Sequence, residues 1–228
     1  MHLLLLHGAI GAAEQLQPLA ADLEKDFTVH TLDFSGHGNK PFSNKPYSIP
    51  LFAEDVLAYI DNHRIDQVAV FGYSMGGYVG MYLALHHRSR ISKLATLATK
   101  FHWDAPTAER ETKMLNAEKI IEKLPAFAQT LQQRHHPKDW KMVLAHTAGL
   151  LKDLGDNPPL SPGNCHAVTV PVLLLLGDSD KMVSVEETQA IHKSIPGAQL
   201  EILPATPHPI EQADVKMLAG RLRQFYTE

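Results

Sequence analysis

Val68-Ala69-Val70-Phe71-Gly72-Tyr73-Ser74-Met75-Gly76-Gly77 decides the reading of this chain. The first four residues form an apolar run without polar alternation, the pattern of a strand buried on both faces. Gly72 to Gly76 matches G-x-S-x-G, and Tyr78 to Leu85 can continue as a helix. The five-residue match carries little weight alone; a strand before it and a helix after it give it meaning. So tight a turn lifts the serine oxygen clear of the backbone. It also holds the serine at positive φ, a strain of about 1–3 kcal/mol. Only small residues fit two positions to either side, hence Gly72 and Gly76. The helix that starts here aims its N-terminal partial positive charge at the same point. Ser74 is therefore the candidate nucleophile.

Outward from this turn, further short apolar runs read as buried strands: Leu3–Leu6, Thr28–Leu32, Leu94–Ala98, Val172–Leu176 and Leu200–Leu203. Between most of them apolar residues recur at helical spacing. Leu16, Leu19, Ala20 and Leu23 form one such stripe, Phe52, Val56, Tyr59 and Ile60 another, and Val215, Leu218, Leu222 and Phe225 a third. Alternating strand and helix predicts an α/β fold: a mostly parallel sheet of about six strands with helices on both faces. The alternation breaks once, between about Phe101 and Asn157. Asp104 with Pro106, and Asn116 before Ala117, read as helix starts there, and Pro125 and Pro137 punctuate two more helices. Trp140, Val143, Leu144, Thr147, Leu151 and Leu154 line up as a stripe on the last. The expected organisation is a core of residues 1–100 and 158–228 with a helical insertion, 101–157, whose apolar stripes need the core to cover them.

The 228 residues carry a net charge of −4, with 44% hydrophobic and 20% charged residues. That balance suits one globular domain and lacks the basic excess of a nucleic-acid binder. Cys165 is the single cysteine, which excludes an intramolecular disulfide and suggests a reducing compartment. The four leucines after His2 are too few for a signal peptide, and no run approaches a membrane span. A cytoplasmic protein with no membrane partner is expected. Fourteen histidines invite a metal, yet neither H-E-x-x-H nor Cys/His ligand spacing occurs. The adjacent pairs His86-His87 and His135-His136 would face different ways on a helix. No nucleotide-binding glycine motif follows a strand, so no cofactor is implied.

Several motifs together resemble the α/β-hydrolase family. His7-Gly8-Ala9 after the first strand is similar to its oxyanion loop, and Asp33-Phe34-Ser35-Gly36-His37-Gly38 to its D-x-x-G-x-G turn. Gly177-Asp178-Ser179-Asp180-Lys181-Met182-Val183 resembles the turn that carries the acid, and His208 stands just after the last strand. The insertion occupies the position of the family's cap. The chain begins at the strand bearing the oxyanion loop, so the expected sheet is parallel throughout. The family commonly has glycine before its histidine; here the residue is Pro207.

The resemblance implies a catalytic triad of Ser74, Asp180 and His208, with Asp178 the rival acid. It also implies an oxyanion hole from the backbone N–H groups of Ala9 and Met75. The implied activity is hydrolysis of a carboxylic ester or thioester of a small to medium acyl substrate through an acyl-serine. A carbon–carbon bond hydrolase, lyase or cofactor-free perhydrolase on the same scaffold is the alternative. A non-catalytic ligand-binding protein of this fold is the second. His7, His37 and Asp33 read as loop stabilisers, and Met114 and Met142 as packing residues. Phe101-His102-Trp103 either lines an acyl pocket or anchors the insertion.

Overall fold

A computed structural model describes all residues, 1–228. Six strands form one sheet: β1 (His2–Leu6), β2 (Thr28–Leu32), β3 (Val68–Tyr73), β4 (Ile91–Leu97), β5 (Val172–Gly177) and β6 (Gln199–Leu203). Every pair is parallel, as the sequence predicts, and their order is β2-β1-β3-β4-β5-β6. β4 starts three residues earlier than expected, because Ser92 and Lys93 interrupt the apolar run without leaving the ladder.

Alternate side chains face opposite layers, the period-2 consequence of the pleat. Leu4, Leu6, Val70, Leu94 and Leu174 point into one core with α2 (Ile49–Asn62), α3 (Met75–His86) and α9 (Val185–Ser194). Leu3, Leu5, Phe71, Ala95 and Leu175 point into the other with α1 (Gln17–Leu23) and α10 (Val215–Thr227). All four leucines of β1 are fully buried. Each such burial stabilises by about 1.5–3 kcal/mol, which is why this strand needs no polar face.

Between β4 and β5 the chain is helical: α4 (Ala105–Lys113), α5 (Ala117–Lys123), α6 (Pro125–His135), α7 (Trp140–Asp156) and the short α8 (Pro162–Cys165). Asp104 and Asn116 cap α4 and α5, accepting from Thr107 N and Lys119 N at 2.8 and 2.9 Å. These are the predicted starts. The stripe on α7 buries Leu150 in place of Leu151. The insertion covers its own apolar faces more than expected: Ile120, Ala128, Leu131, Trp140 and Leu144 form a separate cluster. Of α7, Leu150 and Leu154 are buried in the main core and Leu151 packs against it half-buried.

This topology positions a site. Strand order reverses between β1 and β3, the switch point at which open parallel sheets bind ligands beyond their carboxyl ends. Leu6 lies in register with Gly72, so the loop after β1 runs beside the turn after β3.

Candidate active site

Ser74 closes β3 at φ 52°, ψ −117°, the positive φ the sequence implies. Its N–H donates to Leu97 O at 2.8 Å, and its carbonyl accepts the Thr99 hydroxyl at 3.1 Å. Those bonds to the end of β4 hold the strained residue in place. A Cβ at Gly72 would collide with the Gly76 carbonyl and Gly77 Cα, and one at Gly76 with Leu6 O. The obstacles are backbone, so they cannot swing aside. Gly76→Ala is expected to destabilise by about 3 kcal/mol, the upper end for overpacking. For a chain of this size that is a fall in Tm of roughly 6–12 °C by calorimetry. Gly220→Ala, with open space on α10, should instead raise Tm by a few degrees, since alanine gains about 1 kcal/mol over glycine in a helix.

His208 Nε2 stands 3.4 Å from Ser74 Oγ, and its Nδ1 donates to Asp180 Oδ2 at 2.8 Å. The Asp180 side chain is fully buried. Its Oδ1 accepts the N–H groups of Met182 and Val183 at 2.7 and 3.0 Å. Burial pushes the Asp180 carboxyl up, but the bonds from His208, Val183 and Met182 outweigh it and hold the group below the usual carboxylate range. An ionised Asp180 keeps the proton on Nδ1 and leaves the Nε2 lone pair for the serine. The 3.4 Å separation is long for a hydrogen bond, as is common before a substrate closes the geometry.

Asp178, the rival acid, points elsewhere. Its Oδ1 accepts the Ser179 hydroxyl at 2.8 Å and Thr206 N at 3.3 Å, so it anchors the loop that carries His208. A Cβ at Gly177 would run into Thr206 O, so glycine there lets that loop approach. The loop takes its left-handed turn at Ala205, φ 49°, which leaves Pro207 free to keep its fixed negative φ. That is how the chain accommodates proline where the resemblance leads one to expect glycine.

Ala9 and Met75 both border the cavity beside Ser74 and His208. Neither N–H bonds to a side chain or to a loop carbonyl, and Met75, first in α3, has no helical acceptor. His7 holds the Ala9 loop: its Nδ1 donates to Gly8 O at 2.7 Å and its Nε2 accepts Phe34 N at 3.1 Å. Burial pushes the His7 imidazole down to about 4, so it is neutral near pH 7. Asp33 accepts Ala13 N and Asn39 N at 2.8 and 3.0 Å, the turn-fixing role predicted for it. His37 donates to Ser35 O at 3.2 Å. Sequence reasoning missed His135, which is buried and bonded to both loops, and nothing local in the sequence singles it out.

The cavity measures about 390 Å³. Ile49, Tyr78, Ile120, Leu150, Leu151 and Leu154 are among its apolar walls, so both the sheet's own helices and the insertion enclose it. Its charged residues are paired: Lys100 lies 3.6 Å from Glu111, and Arg134 3.1 Å from Glu211. The aromatic triplet divides its roles. Phe101 is buried in the main core near Tyr78, while Trp103 lines the cavity and donates its indole N–H to Lys100 O. Met114 and Met142 are not packing residues; both are about half exposed, and Met114 borders the cavity. Met114 caps the C-terminus of α4, and Met142 lies on an exposed side of α7, whose other side packs against α4. No helix is long and apolar enough to cross a membrane.

Residues 1–116 match the family model for the alpha/beta hydrolase fold. The chain belongs to the alpha/beta hydrolase fold family. This hydrolase is 25% identical over 242 residues to a pimeloyl-[acyl-carrier protein] methyl ester esterase of Neisseria meningitidis, covering 97% of the chain and 91% of that protein. It is 26% identical over 215 residues to 3-oxoadipate enol-lactonase 2 of Acinetobacter baylyi, covering 83% and 75%. Among solved structures it superposes on the 2-hydroxy-6-oxo-6-phenylhexa-2,4-dienoate hydrolase of Rhodococcus sp. strain RHA1 with a TM-score of 0.83. That match covers 100% of the chain and 90% of the other at 18% identity, a likeness of fold.

Proposed function

We propose that this hydrolase cleaves carboxylic esters or thioesters of small to medium acyl groups through an acyl-serine on Ser74. One observation carries the reading: the Ser74–His208–Asp180 chain of side chains opens onto a largely apolar cavity of about 390 Å³. Pockets of this size and lining suit small molecules.

His208 accepts the Ser74 proton as Oγ attacks the acyl carbon. Asp180 stabilises the imidazolium without taking the proton. The carbonyl oxygen, gaining negative charge, meets the N–H groups of Ala9 and Met75, each worth about 10²–10³ in rate. His208 then returns the proton to the leaving group, and a water, activated by the same imidazole, releases the acid. Residues 101–157 act as a cap whose apolar wall shapes the acyl site. The relatives named as a methyl ester esterase and an enol-lactonase support ester chemistry.

The test is a panel of straight-chain acyl esters and thioesters with two to twelve acyl carbons. We expect kcat/KM to rise about fourfold per methylene, the equivalent of about 0.8 kcal/mol, until the cavity fills. It should then fall. A second reading, carbon–carbon bond hydrolysis, draws on the Rhodococcus neighbour, whose named substrate is a ketone rather than an ester. Cleavage of a β-diketone with no ester turnover at any chain length would replace the first reading with the second.

A further inference from the structure

The insertion reaches back into the loop beside the elbow, and the imidazole of His135 makes its hydrogen bond to Ile10 O there. His135 ends α6 and is fully buried. Its Nδ1 lies 3.1 Å from Gly38 N, and its Nε2 3.0 Å from Ile10 O. An amide N–H can only donate and a carbonyl can only accept. The ring must therefore be neutral, bare at Nδ1 and protonated at Nε2. Burial, which pushes its pKa down to about 4, keeps it in that form near neutral pH.

The carbonyl it holds belongs to a strained turn. Gly11 N donates to Gly8 O at 3.2 Å, closing a turn with Ala9 and Ile10 at its centre. Ile10 takes φ 52°, a left-handed conformation that glycine adopts freely and a β-branched residue rarely does. Such a conformation persists only where its surroundings enforce it. His7 fixes the turn's first carbonyl, Gly8 O, from the core side. His135 fixes Ile10 O from the insertion side. Ala9, which borders the cavity and whose N–H has no acceptor within the protein, lies between those two carbonyls.

We propose that His135 is a positioning residue: its Nε2–H holds the Gly8–Gly11 turn in the conformation that presents the Ala9 N–H to the reacting carbonyl oxygen. This rests on the reading of Ala9 as an oxyanion donor. It makes the insertion part of the catalytic apparatus as well as a wall of the acyl site. An insertion that shifted on α6 would release Ile10 O, and the donor would be lost with Ser74, His208 and Asp180 still in place.

Two substitutions separate the bonds. His135→Gln can place an N–H where Nε2 stood, and His135→Asn keeps only an acceptor near the Nδ1 position. On the ester turned over best by the wild type, we expect His135→Asn to lower kcat by about 10–100-fold with KM within twofold. That is somewhat less than deletion of a whole oxyanion donor. His135→Gln should stay within about threefold of wild type. Equal losses in the two variants, or losses that fall on KM, would overturn the proposal. A second measurement needs no variant. In wild-type protein carrying ¹⁵N-histidine, a phosphonate adduct on Ser74 should shift the His135 Nε2–H resonance, because the adduct oxygen occupies the site of the Ala9 donor. An unmoved resonance would overturn the proposal too. Wild-type protein that hydrolyses no ester and takes no phosphonate would instead overturn the reading of Ser74, and the role of His135 would fall with it.

Discussion

Ser74→Ala is expected to abolish ester turnover, with a loss in kcat of about 10⁶-fold where the assay floor allows it to be read. The size follows from what the side chain supplies. Without Oγ no acyl-enzyme forms, and His208 has no proton to accept. What survives is binding in the apolar cavity and the N–H groups of Ala9 and Met75, which together retain roughly 10³–10⁴ over water. The substitution removes one oxygen from a residue whose backbone bonds to Leu97 and the Thr99 hydroxyl remain. Tm should therefore change by no more than a few degrees, and KM for a poorly turned-over ester should stay close to its wild-type value. Steady-state kinetics with calorimetry on the same preparation checks all three. Residual turnover within tenfold of wild type would remove Ser74 from the chemistry.

The second large effect discriminates between two acids in one turn. Asp180→Asn should lower kcat by about 10⁴-fold, through the wrong imidazole tautomer. An amide N–H₂ facing His208 would take the place of the Oδ2 acceptor, so Nδ1 would have to present its lone pair there. Nε2 would then carry the proton and could not accept one from Ser74. The Asn oxygen can still accept Met182 N and Val183 N, so the turn itself should survive. Asp178→Asn should cost less than tenfold in kcat, because Asp178 touches the Ser179 hydroxyl and Thr206 N and not the imidazole. The comparison is read from kcat for both variants on one ester. A larger loss at residue 178 than at 180 would exchange their roles.

Local chemistry made the sheet and its rim legible. Buried parallel strands announce themselves by unbroken apolar runs, as Leu3–Leu6 and Val172–Leu176 do. The elbow was legible because steric demand leaves glycine as the fitting residue at positions 72 and 76. Asp180 and His208 could be named because the turn and the strand end that precede them resemble those of the alpha/beta hydrolase family. Their approach to Ser74 could not, since it depends on how loops separated by many residues pack.

The same limit hid the rest. His135 stands beside His136 in the sequence, yet one is buried and the other exposed, which only the packing of α6 decides. The pairing of Lys100 with Glu111 and of Arg134 with Glu211 joins the insertion to the core, the second pair across 77 residues of sequence. The split of Phe101 from Trp103 follows from two residues that leave one strand end in different directions. Periodicity of 2 or 3.6 shows which face of an element is apolar, and leaves open which neighbour covers it.

The central claim is that His208, oriented by Asp180, makes the Ser74 oxygen a nucleophile. Labelling with a fluorophosphonate, followed by peptide mass mapping, tests it most directly. We predict one label per chain, on the peptide containing Ser74, and a labelling rate at least about 10³-fold lower in His208→Ala. A label on another residue, or an unchanged rate without the imidazole, would contradict it.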